Sequence, residues 1–466
     1  MQTDILCHAH RIGALYRRRQ WNTVDELRDT ALRFAQSLDA IAFEKNGTLD
    51  WDTARGDTTL SLLLPELAAM PYPQRPDELR NVSLYNGTAG IVPGLLRLWA
   101  LSGEESLRQT AQRGMETLKR LWRSALTYRH IAAPEANYGY YFGIGGVGAV
   151  LLEGVRLLRD DECAEALRQI VHTLEVDAKK GAWTERTGLM ADAGCTLLLT
   201  EIALQIGWDD AGTLAVSAGE ALLRSRVETP YGITYERIPS GGDSYPNFVY
   251  GCAGTGYAFA RLHALSGDVR FLDAARDCAK YLMHIAQPAG SGKLIPYIAN
   301  SASPIYYLNT CHGPAGSARL FYELYRQTAD ERMAQFIRDL ECGLRAKGAP
   351  ERMSETLWNN VSYCCGTAGI LHFYLQLYSA FGQADDLMQA KRCGEILLGE
   401  MEVSGGAPSW PMAFIRVQPE RIDARGGLFD GGMGAAVALM ELYGALTNAP
   451  RFDRLPDDPF PDRLNP

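Results

Sequence analysis

No uninterrupted apolar run in this 466-residue sequence is long enough to cross a membrane. Its first residues also lack the charged lead and apolar stretch of a secretory signal. Basic residues are not in excess, since 46 Lys and Arg stand against 55 Asp and Glu, a formal net charge of −9. A basic nucleic-acid-binding surface is therefore not expected. These absences predict a cytoplasmic protein that neither inserts into a membrane nor binds nucleic acid.

Paired C-x-x-C knuckles, which are typical of structural zinc sites, are also missing. The chain nevertheless has ten cysteines, which should be reduced in the cytoplasm. Most of them stand singly in apolar helical patterns, where a small buried hydrophobic residue is the expected role. Cys311, Cys364 and Cys365 differ because they lie in turn-like motifs.

These three thiols occur in two motifs with the same C-x-G-x-A-G frame. The first reads Cys-His-Gly-Pro-Ala-Gly over residues 311–316, and the second reads Cys-Cys-Gly-Thr-Ala-Gly over residues 364–369. Each motif is followed by an apolar run of helical character, at residues 317–325 and 370–378. Three thiols and the imidazole of His312 are thus placed at two equivalent helix starts.

Glycine turns of this kind recur seven times, 48 to 65 residues apart. Their final glycines are Gly90, Gly146, Gly194, Gly254, Gly316, Gly369 and Gly434. Each turn precedes an apolar helix, and amphipathic, charged helices lie between them. Seven such pairs can bury their apolar faces by closing into an all-α toroid of seven inner and seven outer helices. An open superhelical solenoid is the alternative, but the inner helices are too apolar to line an exposed surface.

In a toroid all seven inner helices would start on one face, so the residues before the turns would meet around one opening. At that register the sequence has Asn86, Phe142, Met190, Tyr250, His312, Cys365 and Asp430. Irregular stretches at 228–243, 290–305 and 404–427 should form loops or hairpins that wall this face. We expect residues 1–80 to be an N-terminal helical extension packed on the barrel, 81–446 the repeats, and 447–466 a C-terminal tail.

The thiol pattern suits zinc, because a catalytic zinc keeps one coordination position open for a substrate. Cys311, Cys364 and Cys365 would supply three thiolates and leave a fourth position free. His312 as a fourth ligand would instead close the site. A third possibility is three reduced core cysteines with no metal.

Seven glycine-turn units with these fifth and sixth motifs resemble the lanthionine synthetase C-like cyclases, over about residues 80 to 446. The resemblance implies an α/α barrel with one zinc ion and closure of thioether rings in lanthipeptide precursors. Cys311 and His312 match the family's ligand cysteine followed by His or Tyr. Cys364, Cys365 and Gly366 match its Cys-His-Gly motif, in a variant with three cysteine ligands.

Four positions depart from the family pattern. They are Thr310 in place of Trp, Tyr250 in place of an active-site His, Tyr307 in place of Arg, and Thr187 in place of Asp. The metal ligands therefore match the family better than the groups that would transfer protons.

The resemblance implies that a cysteine thiolate of a dehydrated precursor peptide adds to dehydroalanine or dehydrobutyrine, giving lanthionine or methyllanthionine. The enolate that forms needs a proton, and His312 is the first candidate acid, Tyr250 the second and Asp430 the third. His312 serving only to orient the site is the alternative. A separate dehydratase is expected as a partner.

Other functions fit the same residues. A relative of the family that joins glutathione to dehydroamino acids, or a zinc-thiolate alkyl transferase, would use the same metal chemistry. A non-catalytic zinc-containing peptide-binding homologue would explain the missing His and Arg.

Overall fold

The computed structural model describes residues 14–45, 47–53, 66, 70–126, 137–184, 186–236, 244–353, 360–413, 422–449 and 454–461. Within them the chain is mainly helical, with five antiparallel pairs of short strands. The helices are α1 (Asp25–Ser37), α2 (Thr88–Ser102), α3 (Glu105–Leu121), α4 (Ile144–Glu153), α5 (Asp161–Lys179), α6 (Asp192–Ile206), α7 (Asp209–Arg224), α8 (Cys252–Ser266), α9 (Val269–Ile285), α10 (Pro314–Thr328), α11 (Glu331–Ala346), α12 (Thr367–Phe381), α13 (Ala384–Glu400) and α14 (Gly432–Thr447). None of these described helices is long and apolar enough to cross a membrane.

The seven helices that follow the glycine turns, α2, α4, α6, α8, α10, α12 and α14, are buried almost all round. Every residue of α4 is buried, and so is every residue of α12 from Thr367 to Leu377. The remaining helices are amphipathic. In α11, for example, Met333, Phe336 and Ile337 are buried while charged residues face solvent. The two helix types predicted from the sequence are both present.

The first compact unit comprises Met1–Ser124, Gly348–Asp453 and Phe460–Pro466. Here α2 packs on α3 and α14, and α12 packs on α13 and α14. Helix α1 packs on α14, where Gly432 leaves room for the ring of Phe34. The N-terminal helix therefore serves as the amphipathic partner of the last buried helix. It ends at Ser37, because the chain turns there into a short hairpin.

The second compact unit comprises Ala125–Lys347 and Arg454–Pro459. Its buried helices α4, α6, α8 and α10 pack side by side in chain order. Each is backed by the amphipathic helix that follows it, α5, α7, α9 and α11 respectively. Repeats two to five of the sequence therefore form four successive helix pairs.

Short hairpins follow three of the amphipathic helices, in stretches where loops or hairpins were predicted. In the described part of the chain the strands are β1 (Ala42–Lys45), β2 (Thr48–Trp51), β3 (Val227–Thr229), β4 (Gly232–Thr234), β5 (Gln287–Ala289), β6 (Gly292–Leu294), β7 (Glu402–Ser404), β8 (Ala407–Ser409), β9 (Met412–Ala413) and β10 (Ile422–Asp423). Hairpins β3–β4, β5–β6 and β7–β8 each turn over two residues. Residues 237–243 and 414–421 of the predicted walls lie outside the described part of the chain.

The C-terminal segment 454–459 is anchored inside the second unit. The Asp457 carboxylate is 2% exposed and forms an ion pair with the buried guanidinium of Arg319 in α10. Asp457 also accepts hydrogen bonds from the hydroxyls of Tyr140 (3.3 Å) and Tyr141 (3.1 Å), just before α4. Two buried helices of this unit are therefore tied to one carboxylate.

Asp457→Asn should destabilise the protein by about 3 kcal/mol or more, because it removes the carboxylate charge that pairs with the buried Arg319 guanidinium. Urea unfolding followed by circular dichroism measures the change. The control is Lys280→Ala, which removes an exposed ion pair with Asp277 and should cost less than about 1 kcal/mol. Equal losses in the two variants would contradict the anchoring role of Asp457.

Candidate metal centre

The turn that contains Cys311 lies directly before α10 and is closed by a side chain two residues upstream. The Asn309 side-chain oxygen accepts hydrogen bonds from the backbone N–H of His312 (3.2 Å) and from the Cys311 thiol (3.3 Å). Pro314 takes the first helical position, where a backbone N–H would have no partner within the helix. The thiol and the imidazole therefore project from one internally bonded segment.

The turn that contains Cys364 and Cys365 is built on the same plan before α12. The Ser362 hydroxyl accepts a hydrogen bond from the backbone N–H of Cys365 (3.2 Å). That hydroxyl and the Ser362 N–H both donate to the Asn360 side-chain oxygen, at 2.8 and 3.0 Å. Ser362 and Asn309 both stand seven residues before the final glycine of their turns. Neither residue was predicted to have a role, although this shared spacing is a signal in the sequence.

Glycine is required between each ligand cysteine and its helix. A Cβ atom on Gly313 would lie 2.5 Å from the carbonyl oxygen of Tyr307 and from the backbone nitrogen of Asn309. A Cβ atom on Gly366 would collide with the carbonyl oxygen of Asn360. The backbone thus folds back on itself too closely for any larger residue.

Backbone hydrogen bonds join successive turns within each unit, and we call this set the turn ladder. In the second unit the N–H of Met190 donates to Val249 O (2.8 Å) and the N–H of Val249 to Cys311 O (3.2 Å). In the first unit the N–H of Cys364 donates to Phe429 O (2.8 Å) and the N–H of Phe429 to Tyr85 O (2.9 Å). Cys311 and Cys364 occupy the same register, five residues before the final glycine, so both ligand cysteines belong to the ladder.

Cys311 and Cys364 are 5% and 4% exposed, and Cys365 is partly exposed. Among the residues that the structure describes, these three make up a group of side chains that could hold a metal ion. A donor set of three thiols suits zinc, whose affinity for sulfur is high and whose coordination number is four.

His312 lies in a cluster of tyrosines, all within the second unit. Its ring stacks on Tyr250 at 4.9 Å between centroids and 4° between planes. Tyr297 meets it edge-on at 4.6 Å and 82°. Tyr307 and Tyr245 flank it at 5.6 and 6.0 Å. His312 and Tyr250, the first two candidate acids, are therefore in direct contact. Tyr245 and Tyr297 are further site residues that were not predicted from the sequence.

Asp430, the third candidate acid, belongs to the first unit and has a different environment. Its carboxylate accepts hydrogen bonds from the guanidinium of Arg425 (3.1 Å) and from the side-chain amide of Asn86 (3.3 Å). Arg425 and Asp430 are both mostly buried. Two donors, one of them charged, therefore hold one oxygen of the Asp430 carboxylate in place.

A buried carboxylate also lies near the third turn, where the family resemblance predicts an Asp and this chain has Thr187. Asp192 accepts hydrogen bonds from the backbone N–H groups of Thr184 (2.8 Å) and Arg186 (2.9 Å). Burial raises the pKa of the Asp192 carboxyl above its ordinary value, although the Arg186 guanidinium opposes this shift. Asp192 is a further acidic group that our sequence analysis did not single out.

The family model described as lanthionine synthetase C-like protein matches residues 78–454 of this chain. Among solved structures, nisin cyclase is similar with a TM-score of 0.57 at 12% identity, over 84% of this chain and 93% of that chain. This likeness shows the fold, and it confirms the predicted all-α class of α/α toroid type.

Weaker likenesses extend to a Listeria innocua protein (TM-score 0.49, 10% identity, 92% of this chain and 99% of that chain). Unsaturated glucuronyl hydrolase from Bacillus sp. GL1 has a TM-score of 0.42 at 14% identity, over 67% of this chain and 87% of that chain. No curated protein matches the sequence.

Gly366→Ala should destabilise the protein by at least about 2 kcal/mol, because the added methyl group collides with backbone that cannot move independently. The matched control is Gly212→Ala in α7, where the nearest neighbour would be the Ala203 methyl at 3.3 Å. That change should alter stability by less than about 1 kcal/mol. Thermal unfolding decides between them, and a stable Gly366→Ala protein would show that the turn has room for a side chain.

Proposed function

This chain belongs to the lanthionine synthetase C-like protein family, and from that premise we propose that it is a zinc-dependent peptide cyclase. Its substrate is a dehydrated precursor peptide, in which it joins cysteine to dehydroalanine or dehydrobutyrine. The products are lanthionine and methyllanthionine thioethers. The observation that carries the proposal is the group formed by Cys311, Cys364 and Cys365, three sulfur donors on two turns of one repeat register.

The donor set fits a catalytic rather than a structural zinc. Three thiolates fill three of four tetrahedral positions, and a closed structural site would need a fourth protein ligand. His312 is the neighbouring candidate for that ligand, but its ring packs between Tyr250 and Tyr297. This packing supports a role for the imidazole other than metal coordination.

The ion in such a site would bind a substrate thiol and lower its pKa. The chain's own residues account for the remaining requirements. Cys311, Cys364 and Cys365 hold the ion, and the turn ladder fixes the backbone of Cys311 and of Cys364. The substrate thiol gives its proton to solvent, and its sulfur adds to the β-carbon of the dehydro residue. The C–S bond forms as the C=C π bond breaks, which places the negative charge on an enolate. A proton delivered to the α-carbon completes the reaction without any oxidant or reductant.

His312 is the proposed donor of that proton. It is adjacent to a ligand cysteine in sequence, and imidazole gains and loses protons near neutral pH. Tyr250 is the second candidate, because its ring stacks on the imidazole and lies close to the same place. Asp430 ranks third, since its carboxylate is already engaged by hydrogen bonds from Arg425 and Asn86.

The partner that supplies the substrate is proposed to be a separate dehydratase. Loss of water from Ser or Thr is a different reaction from the thiol addition that this site is proposed to catalyse. We propose that both steps take place in the cytoplasm.

A non-catalytic peptide-binding homologue is the second candidate function. It is favoured by Tyr250 and Tyr307, which replace the His and Arg expected from the family resemblance. Such a protein would keep the metal and bind dehydrated peptide without forming thioethers. A relative that adds glutathione differs in the source of the thiol. Because glutathione supplies it, such a protein would modify a dehydrated peptide that contains no cysteine.

Cys364→Ala should lose most of the bound zinc and all thioether formation. The control is Cys342→Ala, which removes a partly exposed single thiol of α11 and should leave both unchanged. Zinc is measured by elemental analysis of the purified protein, and thioether formation by blocking of free thiols and mass spectrometry of a dehydrated peptide. A metal-free wild-type protein, or full activity of Cys364→Ala, would end the cyclase proposal.

His312→Gln should lower kcat for thioether formation by about 100-fold or more while zinc content stays near that of the wild type, because a general acid contributes 10²–10⁴-fold. Tyr250→Phe tests the second candidate and Asp430→Asn the third, each with the same peptide. A normal rate for His312→Gln combined with a large loss for Tyr250→Phe would reassign the proton donor. Loss of zinc from His312→Gln would identify the imidazole as a fourth ligand.

A further inference from the structure

Tyr245, Tyr250 and Tyr297 surround the buried imidazole of His312 and are themselves only partly buried. We propose that these three rings, the tyrosine wall, bind the dehydroalanine or dehydrobutyrine residue of the substrate. This inference rests on the proposed function and assigns the place of the electrophile within it. The wall would select a flat, uncharged, conjugated residue.

The wall lies beside the turn that carries a proposed zinc ligand, because His312 directly follows Cys311. A dehydro residue that reacts at the proposed metal centre must therefore come close to this turn. The imidazole of His312 is 7% exposed, and the tyrosine wall and Tyr307 border it. An α-carbon that approaches His312 therefore meets the partly exposed tyrosines around it.

The aromatic surface of the wall suits a planar dehydro residue. A dehydro residue is planar, because its C=C bond is conjugated with the peptide group. Planar π-systems pack well on aromatic faces and edges, and the wall presents both, since Tyr245 and Tyr297 are inclined at 69° with centroids 5.2 Å apart. A saturated serine or alanine residue has a tetrahedral α-carbon and cannot lie flat on such a surface.

Hydrogen bonds hold the segments of the wall in a fixed arrangement. The segments that supply its outer rings are tied together by backbone hydrogen bonds from Ala299 N–H to Ser244 O (3.0 Å) and from Tyr297 N–H to Ile305 O (2.8 Å). The Asn247 side-chain amide adds a bond to Pro296 O (2.9 Å). A subsite built on a fixed backbone loses little freedom when a ligand binds.

The test uses two short peptides without cysteine, identical except that one contains dehydroalanine where the other contains alanine. Neither peptide can be cyclised, so binding is measured separately from turnover, by fluorescence anisotropy with the zinc-loaded full-length protein. Wild type should bind the dehydroalanine peptide about two- to tenfold more tightly, the range expected for one aromatic contact. Intact-mass measurement verifies that no covalent adduct has formed.

Tyr297→Leu and Tyr245→Leu should each reduce this preference, and Tyr297→Phe should keep it because the ring remains. The matched control is Tyr231→Leu. Tyr231 is an exposed tyrosine in the turn of hairpin β3–β4, and its ring also stacks on a histidine, His284. Equal affinity of wild type for the two peptides would overturn the proposal, as would a full preference in both Leu variants. A clear preference without thioether formation on cysteine-containing peptides would instead reject the cyclase proposal and leave the subsite standing.

Discussion

The close approach of backbone at the glycine turns is the constraint on which the rest of the structure depends. Gly313 and Gly366 lie where any Cβ atom would meet backbone atoms of the preceding segment. Each turn is therefore compact, and neighbouring turns within a unit exchange backbone hydrogen bonds along the turn ladder. The ladder fixes the backbone of Cys311 and of Cys364, each five positions before the final glycine of its turn. The position of the proposed zinc ligands therefore follows from a steric property of residues that carry no functional group.

The same constraint explains how a proton-donating side chain could come from a different repeat and still reach the same place in the site. Relatives are expected to have a histidine where this chain has Tyr250, and His or Tyr where it has His312. Within the second unit the two rings lie parallel, 4.9 Å apart. An imidazole on either turn would occupy nearly the same region, because the ladder holds the two turns at one level. The absence of histidine at position 250 is therefore compatible with a proton donor that comes from the next repeat.

Much of the fold could be predicted because its elements repeat. The seven glycine turns, the two types of helix and the shared register of Cys311 and Cys364 all follow from spacing in the sequence. Tyr245 and Tyr297 could not be found in this way, since they come from irregular segments between repeats. Asp457 lies after the last repeat, in a segment without periodicity, and its contact with Arg319 spans 138 residues. Residues outside the repeats have no such pattern, so their contacts became visible only in three dimensions.

Charged and polar residues inside the buried helices further specify which helices pack against each other. Seven residues after each final glycine the chain has Arg97, Glu153, Glu201, Arg261, Glu323, Gln376 and Glu441, all shielded from solvent to a large extent. Arg261 of α8 pairs with Glu201 of α6 (2.7 Å) and with Glu323 of α10 (3.1 Å).

Apolar helices as similar as these could pack in a wrong order, or slip by one turn of 5.4 Å, at little hydrophobic cost. A slipped helix would bury a charge without its partner, which costs about 3–5 kcal/mol. The ion pairs therefore define which helices are neighbours and at what height, and equal height is the condition under which the turn ladder of that unit can form.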